Sequence, residues 1–161
     1  MNALSLAPMA RLASLAPLAV RVIVGIIMVA HGLQKLTGGP TNFGQGLAGM
    51  GIPLPVLMAY VVTFVELIGG ILLIIGLLSR LAALLLTTDL AVAILLVKVN
   101  TGLIAPQGSG AGAELDLALI AGLLVILFAG PGKLSLDYAL GLDRDPITEG
   151  TTTAGDRARS A

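Results

Sequence analysis

The polar residues that could do chemistry in this chain lie inside or beside long apolar stretches. The segment VIVGIIMVAHGLQKLTGG is apolar at first and then places His31, Gln34 and Lys35 at its far end. Glu66 and Asp89 stand inside two further apolar stretches. An ionisable group near the bilayer centre costs about 2.5–3.5 kcal/mol on insertion scales, so it normally faces the protein interior and has a partner or a task. These five residues are therefore the first candidates for a site.

The elements that must position them are long apolar helices. Of the 161 residues, 57% are hydrophobic and 11% are charged, and the mean hydropathy is +1.02. Soluble domains average about 45–50% apolar and about 25% charged residues. A bilayer core about 30 Å thick needs roughly 17–25 helical residues. The sequence therefore predicts four membrane spans, over residues 18–36, 56–78, 81–97 and 114–130.

The predicted fold class is all-α: an antiparallel, integral membrane four-helix bundle. None of the spans alternates apolar and polar residues as a membrane strand would. The four-helix domain covers residues 18–142 and includes a short interfacial segment at 132–141. Residues 1–17 are expected to form an extramembrane lead. The polar tail, residues 143–161, has mixed charge and is expected to be disordered.

The distribution of Lys and Arg predicts the orientation, since cytoplasmic segments carry the excess of these residues. Lys35 and Lys98 lie near one membrane face, whereas all the other basic residues close to the spans lie near the opposite face. Both termini are therefore expected in the cytoplasm, in a multi-pass protein of the bacterial plasma membrane. The basic residues on the predicted cytoplasmic side are Arg11, Arg21, Arg80, Lys133 and Arg144.

Helical geometry is expected to bring the polar residues together. At 100° per residue, Arg21, Met28 and Lys35 share one face of the first span, and His31 lies to one side of it. In the second span, Glu66 shares its face with several glycines, which allow a neighbouring helix to approach closely. The ionisable residues expected to meet in the outer half of the bundle are His31, Lys35, Glu66, Asp89, Lys98, Glu114 and Asp116.

The composition also excludes several classes of function. The chain has no cysteine, so a disulfide, a CxxC redox pair and a thiolate-bound iron–sulfur or zinc site are excluded. The glycine-rich stretch GQGLAGMG is predicted to be a loop with no strand before it, and it does not form a nucleotide-binding fingerprint. A net charge of zero without a basic patch argues against nucleic acid as a partner.

Four segments in order, RVIVGIIMVAHGLQKL, VELIGGILLIIGLLSRLAALLL, AEL and GPGKLSLDYALG, resemble the DoxX family of small four-helix bacterial membrane proteins. The likeness runs from Arg21 to Gly141. Its most specific part is HGxxK at a helix end combined with GPGxxSLD after the fourth helix. The family's characteristic residues, carried over by position, are Arg21, His31, Gly32, Lys35, Glu66, Gly69, Arg80, Glu114, Gly130, Pro131, Gly132, Ser135 and Asp137.

The resemblance implies redox chemistry, since related DoxD-type proteins are subunits of a thiosulfate:quinone oxidoreductase and other DoxX-like members are linked to oxidative-stress complexes. The expected ligand is a quinone headgroup. His31 and Lys35 would donate hydrogen bonds to its carbonyls, and Glu66 or Asp89 would relay protons, because quinone reduction requires a positioned acid. Further contacts are expected from Gln34 and Glu114. The lipid bilayer and soluble redox enzymes are the expected partners.

Other interpretations of the same residues stay open at this point. Glu66 could pair with Lys35 or His31 and only satisfy buried charge, and Arg21 could pair with Asp137 in the same way. The chain's one histidine could ligate haem, although a bis-histidine haem would need two subunits. The protein could also be a scaffold or assembly subunit that recruits soluble redox enzymes.

The segment GPGKLSLD has a structural interpretation. Gly130 and Pro131, followed by Gly132, are expected to end the fourth helix, and Ser135 to cap a short amphipathic segment on the inner membrane surface. Arg80 is likewise expected to be structural.

Overall fold

The computed structural model describes residues 15–99, 101–106 and 110–143, and this part of the chain contains helices and turns but no strand. The predicted lead and tail lie almost wholly outside the described residues. Proline stands at the first turn of α1, α2 and α3, where its missing N–H is not needed. The helices are α1 (Ala16–Gly38), α2 (Pro40–Gly49), α3 (Pro55–Ile75), α4 (Ser79–Ala93), a π-helical segment (Ile94–Lys98), α5 (Ala113–Ala129) and α6 (Leu136–Ala139).

Three helices of the described chain are long and apolar enough to cross a membrane. They are Ala16–Gly38, Pro55–Ile75 and Ser79–Lys98, which joins α4 to the π-helical segment. They overlap the first three predicted spans, although α3 ends at Ile75, before the predicted end of the second span at residue 78. The predicted fourth span corresponds to α5, which has 17 residues and is the shortest of the four. Large apolar side chains cover the outward surface of all these helices, as expected of a protein surrounded by lipid.

Glycines allow α1 and α3 to pack closely. A Cβ added at Gly25 would lie 2.8 Å from the carbonyl oxygen of Gly70, and one added at Gly70 would lie 2.8 Å from that of Gly25. Gly32 packs in the same way on the backbone of Leu67. The predicted inward faces are confirmed, since Arg21, Gly25, Met28 and Gly32 of α1 and Thr63, Glu66, Gly69, Gly70 and Leu73 of α3 are all buried.

The remaining long helices complete the core. α1 contacts α3 and α5, and α4 also contacts α3 and α5. Met28, Leu73, Leu86 and Leu123, one from each of these helices, are almost fully buried where they meet. The π-helical segment continues α4 and packs chiefly against α5.

Residues 76–80 and 127–143 connect the helices at one of their ends. This end is called here the turn end. α3 ends at Ile75, Gly76 follows it with φ 72°, and α4 begins three residues after Gly76 at Ser79. Asp137 accepts hydrogen bonds from the backbone N–H of Leu78 (2.7 Å) and Ser79 (2.8 Å). It thereby satisfies donors at the start of α4 that lack an intrahelical partner. Asp137 thus connects α6 to the turn between α3 and α4.

The predicted structural motif after the fourth helix has the expected local form. α5 ends at Ala129, and Gly130 follows with φ 86°. Pro131 and Gly132 lead into the last turn, in which the Ser135 hydroxyl accepts a hydrogen bond from Tyr138 N at 3.1 Å. Ser135 therefore caps α6, as predicted.

The arginines at the turn end bind mainly backbone carbonyls. Arg21 donates to the carbonyls of Pro131 and Leu134. The direct ion pair predicted between Arg21 and Asp137 is therefore not formed, because Asp137 is engaged by the start of α4. Arg80 binds Asp143 at 2.6 Å and also donates to the carbonyls of Leu127 and Phe128.

The segment GQGLAGMG was predicted to be a loop, and this prediction is wrong for most of it. Residues 40–49 form helix α2, which packs on α3 and to a smaller extent on α1. Gly44 makes this possible, since a Cβ there would lie 2.9 Å from the Cα of Val56. α2 thus lies across the ends of α1 and α3 opposite the turn end. This second end is called the cavity end.

Candidate functional site

A cavity of about 380 Å³ lies at the cavity end, enclosed by α1, α2, α3, α4, the π-helical segment and α5. Most of its wall is apolar. Met28, Leu90 and Leu119 belong to this wall, and α2 contributes Phe43 and Leu47 to it. The polar side chains that line it are His31, Lys35, Glu66, Asp89, Lys98 and Asp116.

Lys35 and Glu66 form an ion pair between α1 and α3. The Lys35 Nζ lies 2.5 Å from Glu66 Oε2, and the two side chains are 19% and 6% exposed. The ammonium also lies 5.5 Å from the centre of the Phe43 ring, within cation–π range. This confirms the predicted pairing of Glu66 with the first helix and identifies Lys35 as its partner.

Lys98 and Asp116 form a second ion pair in the cavity wall. Lys98 Nζ lies 2.9 Å from Asp116 Oδ1 and 2.8 Å from Oδ2, and it donates to the carbonyl of Gly112 at 3.2 Å. Lys98 is the last residue of the π-helical segment, whereas Asp116 lies in the first turn of α5. A carboxylate in that position also suits the positive end of the helix dipole.

His31 and Asp89 differ from these pairs. Both side chains line the cavity and are half-buried, yet neither makes a hydrogen bond or ion pair with another residue in the described part of the chain. A buried polar group without a partner is costly, so both side chains remain available for a ligand or water.

Two predicted contact residues lie elsewhere. The Gln34 side chain is exposed on α1 and does not line the cavity. Glu114 is exposed, and its carboxylate accepts a hydrogen bond from the backbone N–H of Gly112 at 3.2 Å. Glu114 therefore supports the loop that leads into α5 instead of facing the cavity.

The contribution of α2 to the cavity wall was not predicted from the sequence. Phe43 and Leu47 are four residues apart and therefore project from the same face of this helix, which covers the cavity. Pro40 at the first helical position was the available signal for a helix here.

The charges of the site nearly balance. The site contains two lysines and three carboxylates, and each lysine forms an ion pair with one of the carboxylates. Asp89 is the carboxylate of the site that has no lysine partner. Among the described residues, no group of three or more His, Asp or Glu side chains is arranged to hold a metal ion. The groups of the cavity wall without a protein partner are therefore one imidazole and one carboxyl group, His31 and Asp89.

Comparison with known proteins finds one family model and several relatives that match most of this chain. The family model described as DoxX matches residues 16–99. "Uncharacterized membrane protein Rv3486" of Mycobacterium tuberculosis is 34% identical over 129 residues, which is 75% of this chain and 78% of that protein. "Putative oxidoreductase CatD" of Bacillus subtilis is 35% identical over 122 residues, 74% of this chain and 83% of the relative.

A Haemophilus influenzae protein without an assigned function is 32% identical over 121 residues, which is 73% of this chain and 84% of that protein. No solved structure matches the chain significantly. The matched relatives thus share most of their length with this protein.

Proposed function

The chain belongs to the DoxX family of membrane proteins, and from this premise we propose that its cavity binds the headgroup of a quinone in a membrane redox system. The observation that carries the proposal is the pair of unpartnered side chains, His31 and Asp89, in an apolar cavity between membrane-spanning helices. A polar site of this kind inside a membrane is by default a functional one.

The donors in the cavity fit the carbonyl oxygens of a quinone. Lys35 has three N–H donors, and Glu66 occupies one of them at 2.5 Å. The imidazole of His31 supplies another donor, depending on its tautomer. Phe43, Met28 and Leu90 provide apolar surface for the ring. The volume of about 380 Å³ lies within the range typical of small-molecule sites, about 300–1,000 Å³.

The acids of the site have separate roles in this proposal. A quinone, when bound, takes up two electrons and two protons. Glu66 is held by Lys35 and fixes the position of that ammonium. Asp89 has no such partner, so its carboxyl group is free to hold a proton, deliver it to the ligand and take up a second proton from bulk water for the second transfer. The sequence left this role open between Glu66 and Asp89, and the geometry favours Asp89.

In this proposal the electrons come from outside this chain. A soluble redox enzyme docked at the membrane is the proposed donor. A relative named "Putative oxidoreductase CatD" supports the redox assignment. The protein would then act as the membrane subunit of an oxidoreductase.

The proposal includes a topology. α5 is the fourth span of an antiparallel four-helix bundle in the bacterial plasma membrane, and both termini are cytoplasmic. Arg21, Arg80 and Lys133 lie at the turn end, whereas Lys35 and Lys98 at the cavity end are each paired with a carboxylate. The turn end therefore carries the positive excess expected on the cytoplasmic side.

Co-purification tests the proposed function. Wild-type protein, the variant His31→Ala/Asp89→Asn and the variant Gln34→Ala are purified in mild detergent, and their bound small molecules are extracted and identified by mass spectrometry. Gln34→Ala is the matched control, because this side chain lies on the same helix but outside the cavity. A quinone in the wild type and the control, but absent from the folded double variant, is the expected result. Equal extracts from all three proteins would favour the scaffold function instead.

A further inference from the structure

We propose that the cavity opens sideways into the bilayer, between the first half of α3 and the end of α4 with its π-helical extension, and that the hydrocarbon tail of the ligand lies in this opening. The inference rests on the proposed function, because it assigns a second part of the same ligand to a second part of the same cavity. The ligand class is an amphiphile with a neutral ring headgroup and an apolar tail.

The position of the opening follows from the exposure of the cavity-lining residues. Pro53, Val92 and Leu96 are the exposed members of this lining, and all three are apolar. Val92 is 47% exposed and Leu96 is 52% exposed. Both belong to the span Ser79–Lys98. The exposed surface of a membrane span faces lipid, so the part of the opening that Val92 and Leu96 border leads to hydrocarbon. Pro53 lies in the turn before α3.

Two apolar stripes lead from the opening to the carboxylates. Met58, Val62 and Glu66 are spaced four residues apart on α3 and therefore share one face. Asp89 and Val92 are similarly close on α4, and Leu96 follows one turn later. All six residues line the cavity. Each wall of the opening thus changes from apolar side chains at its mouth to an acid at its inner end, which matches an amphiphile with its headgroup inside.

The packing of the π-helical segment leaves room for the opening between α3 and the end of α4. α3 and α4 are joined by the tight turn at the turn end, which holds them together there. At the cavity end, the π-helical segment packs chiefly against α5, and Lys98 is bound to Asp116 on that helix. The π-helical segment is therefore held on α5, and α3 is not among the helices that it chiefly contacts. π-helical turns are often found at functional sites.

The alternative entrance, along the helix axis from water, is covered. α2 lies over it with Phe43 and Leu47, and Leu47 is itself buried. Gly44 allows α2 to pack directly on the backbone of Val56. Lateral entry is therefore the route that requires no movement of α2.

Binding of two quinones that differ only in their tails tests the inference. One probe is a benzoquinone with a decyl chain and the other has the same ring without the chain. Wild-type protein, Leu96→Trp and Leu95→Trp are placed in lipid nanodiscs, and each probe's concentration is expressed as its mole fraction in the lipid. Leu95 is the matched control, because it neighbours Leu96, is 68% exposed and does not line the cavity.

The larger side chain at Leu96 is expected to fill the opening. Leu96→Trp should weaken binding of the tailed probe by about tenfold and that of the tailless probe by less than about twofold. Leu95→Trp should bind both probes like the wild type. An equal effect of Leu96→Trp on both probes, or no effect on either, overturns the lateral opening while the headgroup site stands. Failure of both probes to bind the wild type overturns the opening and the proposed function together.

Discussion

The Nζ of Lys35 on α1 and the Oε2 of Glu66 on α3 lie 2.5 Å apart, and this ion pair joins two membrane-spanning helices beside the cavity. The carboxylate is the more buried partner, since its side chain is 6% exposed and that of Lys35 is 19% exposed. The pair therefore neutralises a charge that the apolar surroundings would otherwise strongly disfavour. It also fixes the ammonium at the cavity wall, where it can meet a ligand.

The substitution Lys35→Met should destabilise the protein by about 3–5 kcal/mol, because it leaves the Glu66 carboxylate buried and unpaired. The double variant Lys35→Met/Glu66→Gln should recover part of this loss, since no charge then remains. Reversible unfolding in detergent measures both free energies. The assigned role of the pair would be contradicted if Lys35→Met were as stable as the wild type or more stable than the double variant.

The close approach of α1 and α3 gives a second prediction. A Cβ at Gly32 would lie 2.6 Å from the backbone N and 2.9 Å from the Cα of Leu67. Gly32→Ala should therefore force the helices apart and cost about 1–3 kcal/mol. Gly38→Ala on the same helix is the control, because a Cβ there meets nothing within 4 Å. Equal stability of the two variants would show that the contact contributes little to the free energy of unfolding.

The Asp137 carboxylate should stabilise the start of α4. It is 3% exposed and accepts hydrogen bonds from Leu78 N and Ser79 N. Asp137→Ala leaves both donors unsatisfied and should cost on the order of 2 kcal/mol, whereas Asp137→Asn keeps one acceptor and should cost less. Hydrogen exchange at these two amides, measured with thermal stability, checks the prediction. Unchanged exchange in Asp137→Ala would refute it.

The inward face of α1 could be predicted from the sequence, whereas α2 could not. Arg21, Met28 and Gly32 follow the helical repeat within a continuous apolar stretch, so the helix and its buried face follow from periodicity alone. α2 contains glycines at positions 44, 46 and 49, which have low helix propensity. It is stabilised by packing on α3, and such contacts between distant residues are not visible in a local pattern.

Pairing within the site was also only partly predictable. The depth of Lys35, Glu66, Lys98 and Asp116 in their helices placed them at one end, and the structure brings all four to the cavity. The partner of each charge depends on helix rotation, and for Lys98 on a π-helical segment that no sequence repeat indicates. Asp137 was expected to bind Arg21, but the free N–H groups of a tight turn are better placed to bind it.

Cysteine labelling tests the proposed topology, and the absence of native cysteine makes the experiment direct. Ile104 lies between the π-helical segment and α5, whereas Leu142 lies after α6, and both are exposed. A membrane-impermeant maleimide should label Ile104→Cys in intact cells and Leu142→Cys only after permeabilisation. Labelling of both positions from the same side would contradict α5 as a span, and the reverse pattern would contradict the orientation.

Photoaffinity labelling with an azidoquinone is the measurement that tests the central claim most directly, because it maps where the headgroup binds. Labels are expected within residues 28–35 and 89–98, displaced by unlabelled quinone, retained in Gln34→Ala and lost in a folded His31→Ala/Asp89→Asn variant. Labels confined to outward-facing side chains such as Phe128, or unchanged in the double variant, would contradict a quinone site in this cavity.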